Sequence, residues 1–79
     1  MTEWVESKAY PGDRDPKVRL IVSGRLGDDV VYIQVTASVE TYDVIGSILR
    51  DDLAAQFSRA HPTATNVRHD VKIWRGDDD

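Results

Sequence analysis

Seventy-nine residues leave room for one hydrophobic core, and a domain of this size buries only about 60–65% of the surface its unfolded chain exposes. There is no cysteine, which excludes a disulfide framework and thiolate metal ligation. The formal charge of −4 is unevenly spread along the chain.

The opening Met1-Thr2-Glu3-Trp4 lacks the basic start and apolar run of a signal peptide. No apolar run approaches the roughly 20 residues that cross a bilayer. A cytoplasmic protein with no membrane span is the expectation. Residues 1–16 form an N-terminal segment in which Glu3 to Tyr10 is a candidate strand. Pro11-Gly12 is a favoured type II turn pair, and Asp15-Pro16 closes the connection.

Residues 17–24 place Val18, Leu20 and Val22 on one side of an extended segment, with Arg19, Ile21 and Ser23 on the other. Residues 30–37 repeat the alternation, Val31, Ile33, Val35 and Ala37 against Val30, Tyr32, Gln34 and Thr36, and are rich in β-branched side chains. Between them, Gly24 to Asp29 supplies glycines that permit positive φ and aspartates that suit a turn. The two segments are predicted to form a hairpin.

From Thr41 the period changes. Ile45, Leu49, Leu53 and Phe57 recur every four residues, flanked by Val44, Ile48, Ala54 and Ala60, which predicts an amphipathic helix. Thr41 is the expected N-cap, with Asp43 favourably placed in the first turn of the helix dipole. Pro62 disfavours helical geometry at His61, so the helix should stop near Ala60. Residues 66–74 return to alternation, Val67, His69, Val71 and Ile73 against Arg68, Asp70, Lys72 and Trp74, and read as the last strand. A right-handed crossover through the helix returns this strand parallel to the second one. If it lies beside the first, every pair is antiparallel.

The fold class expected is therefore α+β. A small antiparallel sheet of three or four strands carries one helix on one face, in the order β-β-α-β with an optional N-terminal strand. Residues 1–79 make one domain, ending in the acidic tail Asp77 to Asp79.

Little in the chain carries chemistry. His61 and His69 have neither a His-x-x-x-His spacing nor a cysteine nearby, so a structural role is the expectation for both. Ser7, Ser23, Ser38, Ser47 and Ser58 lie in no Gly-x-Ser-x-Gly context. Adjacent residues such as Asp51 and Asp52 point in different directions on a helix and cannot converge on one substrate. Gly24-Arg25-Leu26-Gly27 matches the Gly-x-x-Gly loop of KH domains in letters only, since that loop joins two helices. No phosphate-binding glycine loop occurs. No catalytic residue, metal site or cofactor is assigned, and a non-enzymatic protein is expected.

Two surfaces remain. Residues 28–56 carry six acids, Asp28, Asp29, Glu40, Asp43, Asp51 and Asp52, against Arg50 alone. Such anionic side chains can occupy a groove that normally holds phosphates, and opposite charge speeds encounter; a solubilising surface is the plainer account. The second surface is the sheet face opposite the helix, where Arg19, Ile21, Tyr32, Gln34, Arg68, Lys72 and Trp74 would project. Bases interleaved with aromatics can neutralise and stack single-stranded nucleic acid. The plainer accounts are coverage by the Trp4-Val5 segment, or by a second copy in a homodimer.

In size, in its lack of cysteine, in its small one-helix sheet and in acidic clusters such as Asp51-Asp52, the chain resembles the small acidic proteins that phages use against host nucleic-acid machinery, anti-CRISPR proteins and DNA mimics among them. The resemblance implies steric or electrostatic obstruction of a target without chemistry. The function expected is an inhibitor-type interaction module that binds a larger protein or ribonucleoprotein partner through its acidic residues. The alternative is a small nucleic-acid-binding module using Arg19, Tyr32, Arg68, Lys72 and Trp74.

Overall fold

The two alternating segments become β2 (Lys17–Leu26) and β3 (Asp29–Ser38), ten residues each. A computed structural model describes residues 3–8 and 16–74 of the chain. The Pro11-Gly12 turn and the Asp77 to Asp79 tail lie outside the described residues. The strands run closer to each other's ends than the glycines suggest, and the turn is only Gly27-Asp28. Gly27 has φ +65°, the left-handed value required at the first central position of a type II′ hairpin turn.

Gly24 stays inside β2 for a different reason. A Cβ there would lie 3.1 Å from Phe57 Cζ, 3.2 Å from the Thr65 carbonyl oxygen and 3.3 Å from Ala64 Cβ. The absent side chain lets the helix end and the last strand approach the sheet.

The helix α1 (Val39–Ala60) follows β3 with no loop. Ser38, not Thr41, is the N-cap: its Oγ accepts from the Thr41 backbone N–H at 3.1 Å and donates to Thr41 Oγ1 at 2.9 Å. Its φ of −68° and ψ of 156° explain the shift. An extended residue can close a strand and cap a helix at once, so the helix starts two residues before Thr41 and Glu40 joins its first turn. At Ile45 the backbone leaves helical geometry (φ −124°, ψ 22°), beside Gly46-Ser47, a glycine-serine pair of the kind at which helices kink. Beyond it the helix ends as expected, with the His61 N–H donating to the Phe57 carbonyl at 2.8 Å.

The kink divides the apolar stripe. Leu53 and Phe57 are buried and Ile45 and Leu49 half-buried, whereas Val44 and Ile48 are 82% and 64% exposed. The core is formed by Leu53 and Phe57 on Val18, Leu20 and Val22 of β2 and Val71 of β4 (Thr65–Trp74). Each such burial contributes about 1.5–3 kcal/mol.

The sheet order is β1-β4-β2-β3, with β1 the short strand Val5–Lys8. The pairs β2-β3 and β2-β4 are antiparallel, as expected from a last strand lying beside the first. The N-terminal strand joins parallel to β4, pairing Val5 with Asp70 through Lys8 with Ile73, so the sheet is mixed. The reason is topological: β4 inserts between β1 and β2, and β1 neighbours a strand that runs alongside it.

Near its start β4 carries a bulge. Thr65 pairs with Arg25 and Arg68 with Ser23, so Asn66 and Val67 together oppose Gly24. Asn66 takes φ +53°, a conformation asparagine tolerates better than most residues.

Candidate functional site

Alternation places Arg19, Ile21 and Ser23 of β2 on the face away from α1, and the register aligns the neighbouring strands beside them. Lys72, Arg19 and Thr36 form one row across the sheet; Asp70, Ile21 and Gln34 form the next; Arg68, Ser23 and Tyr32 the third. Trp74, Lys17 and Ser38 close one end, and Arg25 with Val30 the other. All seven residues expected on this face are there. Lys17 and Arg25 belong with them by the same alternation, a signal already present in the sequence.

The open face thus holds five bases, Lys17, Arg19, Arg25, Arg68 and Lys72, and one acid, Asp70. The Arg68 Nε–H donates to the Asp70 carboxylate at 3.1 Å. The Arg19 guanidinium sits 5.4 Å from the centroid of the Trp74 ring, in cation–π range. The pair encloses Arg19 Nε and Trp74 Nε1, neither of which has a hydrogen-bond acceptor. Tyr32 is free of such cover, at 60% exposed. Its row and that of Trp74 are six residues apart on β2, about 20 Å at the rise of a strand. The two aromatics therefore mark opposite ends of the face.

Trp4 does not fold across this face. Its ring lies 5.2 Å from that of His69, which pairs with Val22 on the helix side, and it packs against the core. The cause is that residues 5–8 enter the sheet as a strand, whose alternation sends Val5 and Ser7 to the open side and Glu6 to the helix side.

On that helix side lies a cluster with no counterpart in the sequence reading. Arg50 donates through one terminal nitrogen to Glu6 Oε1 at 2.8 Å and to the Tyr42 hydroxyl. Its guanidinium also stands 5.3 Å from the Tyr42 ring centroid and 6.0 Å from that of Trp4. Tyr42 in turn covers Gly46, where a Cβ would lie 3.0 Å from the ring. Burial lowers the His69 pKa below its usual value, an effect partly opposed by the Asp70 charge. Paired ions and packed rings fill this cluster and tie β1 to α1.

The six acidic candidates are all exposed but are not brought together. Asp28 and Asp29 sit at the hairpin turn, while Glu40 and Asp43 follow the far end of β3, about 30 Å away along a ten-residue strand. Asp51 and Asp52 lie mid-helix and point in different directions, and Asp52 accepts from Gln56 Nε2 at 2.7 Å.

Among the described residues no three His, Asp or Glu side chains are grouped to hold a metal ion, and no helix is long and apolar enough to cross a membrane. Comparison of the chain with protein-family models, curated proteins and solved structures finds no significant match.

Proposed function

We propose that this chain is a non-enzymatic binding module whose open sheet face takes single-stranded nucleic acid. The observation that carries the reading is the sign of the charge on that face. A chain of net charge −4 gathers Lys17, Arg19, Arg25, Arg68 and Lys72 on one side of its sheet, with Asp70 the one acid among the described strand residues of that face. Tyr32 offers an exposed ring for a base, and the bases along β2 and β4 offer charge for the phosphates between. Among the described residues the alternation of bases with Tyr32 and Trp74 on this face is what supports binding.

Fluorescence anisotropy with labelled single-stranded and duplex oligonucleotides at low salt tests this. Binding of the single strand should weaken with salt, with a log–log slope near −0.7 for each phosphate neutralised. Arg19→Glu with Lys72→Glu should abolish it, and Tyr32→Ala should reduce it by about 1–3 kcal/mol. Absence of single-strand binding at low salt removes the proposal.

A second reading is a phage-type inhibitor that blocks a nucleic-acid-binding protein or ribonucleoprotein through its acidic residues. The observation in its favour is that Asp28, Asp29, Asp51 and Asp52 are all exposed. Because the acids are dispersed, a partner would have to wrap the hairpin and the helix together. Reversing Asp51 and Asp52 to lysine should then abolish capture of that partner while leaving oligonucleotide binding intact.

A further inference from the structure

The sheet has two edges, and they are built differently. One is β1, four residues long, with Glu6 and Lys8 among them. Short length and charge are the usual means by which proteins keep an edge from pairing. The other is β3, ten residues long, and from Val30 to Ser38 it has no charge, no proline and no bulge in its pairing with β2. The two-residue turn sets which of its backbone groups are unused. In such a hairpin Leu26 and Asp29 form a hydrogen-bonded pair, so Asp29, Val31, Ile33, Val35 and Ala37 bond to β2. The N–H and C=O groups of Val30, Tyr32, Gln34 and Thr36 then point outward, where the sheet ends.

Apolar surface collects at the same side. Val30 is 66% exposed on the open face of this edge, and Ile48 is 64% exposed on α1, on the other face of the sheet. Arg50 turns toward β1 through Glu6, and Ile48, two residues earlier, lies about 200° round the helix from it. The helix rests chiefly on β2 and β3, so that direction is the β3 side.

We propose that β3 pairs antiparallel with β3 of a second copy about a two-fold axis perpendicular to the sheet and centred on Gln34. The result is one continuous eight-stranded sheet with both helices on one face. In this register Gln34 meets Gln34 and Tyr32 meets Thr36, so the outward backbone groups of these three residues find partners, and the side chains that meet there are uncharged. The Ile48 side chains of the two copies flank the axis above the sheet. Size agrees. A ten-residue edge is about 34 Å long, and the molecule's smallest extent is 16 Å. Burying that wall on both copies removes upward of about 1,000 Å² of surface, the lower bound for a specific interface. A small domain with six buried apolar side chains among its described residues has reason to use it. The dimer stands whether or not the open face binds nucleic acid; if it does, the two faces join into one surface.

Sedimentation velocity across a concentration series, with single-cysteine crosslinking, tests the proposal on the full chain. The natural sequence has no cysteine, so Gln34→Cys provides a lone thiol at the axis and Ser7→Cys a control on the opposite edge. A short thiol crosslinker should give a covalent dimer with Gln34→Cys and not with Ser7→Cys. Gln34→Lys with Ile48→Lys changes only exposed side chains and should give a monomer with an unaltered circular dichroism spectrum. A monomer at millimolar concentration overturns the proposal. So does a dimer that survives the double lysine variant, or one that crosslinks equally through Ser7→Cys.

Discussion

The Arg50 guanidinium and the Glu6 carboxylate meet at 2.8 Å across 44 positions of sequence, and this pair fastens the N-terminal strand to the helix. Neither residue belongs to the core, and the pair links the edge strand beyond β4 to the helix. Tyr42 and Trp4 hold the guanidinium between rings, which keeps it aimed at Glu6.

Replacing Arg50 with methionine should therefore release β1 while leaving the rest folded. Glu6 and Arg50 are partly exposed, so the ion pair itself contributes no more than about 1 kcal/mol. The expected result is loss of hydrogen-exchange protection for the amides of residues 5–8, with β2 and β4 still protected. Unchanged protection at β1 would show that backbone pairing alone holds it.

Phe57→Ala should cost about 3–5 kcal/mol, a large part of the stability a domain of this size has. Phe57 is 1% exposed and contacts the sheet where Gly24 leaves room for it. Gly24→Ala attacks the same contact from the other side and should cost about 1–3 kcal/mol by overpacking. Urea unfolding measures both, and a neutral Gly24→Ala would mean that Phe57 can shift without loss.

Ser38→Ala should destabilise by about 1 kcal/mol and Thr41→Ala by less, because the Ser38 hydroxyl accepts the orphan N–H of the first turn. Thermal melts of the two variants give the comparison directly. Equal losses would return the cap to Thr41.

His69 makes the fold sensitive to mild acid. Burial lowers its pKa in the folded state, although Asp70 opposes the shift. The unfolded chain, with an imidazole near 6.5, then binds the proton more readily than the folded one. Stability is complete above about pH 6.5 and falls as pH drops from there through the folded-state value. His69→Phe should flatten this part of the stability profile, measured by urea titration at successive pH values. A slope that persists in the variant would assign it to another group.

The strands, the helix, its end at Ala60 and the composition of the open face could all be read from the chain. The strands, the open face and the helix follow from a local period, two for Val18, Leu20 and Val22 and nearly four for Leu49, Leu53 and Phe57, and the helix end follows from Pro62. The errors lie where two local signals competed. Gly24 resembled a turn residue because glycine suits turns, but here it serves the close approach of Phe57. Thr41 resembled a cap because the apolar stripe begins nearby, but Ser38 ends the strand and caps the helix together.

Of the candidate surfaces, alternation by itself determined the open face, because a side chain's direction in a strand depends only on its parity. Tertiary structure decided the rest. It set β1 parallel to β4, drew Trp4 to the helix side, dispersed the acidic residues between the hairpin turn and the helix, and left β3 as an edge strand among the described residues. Those outcomes depend on which strands become neighbours, and pairs such as Glu6 and Arg50 leave no periodic trace in the sequence that could announce them.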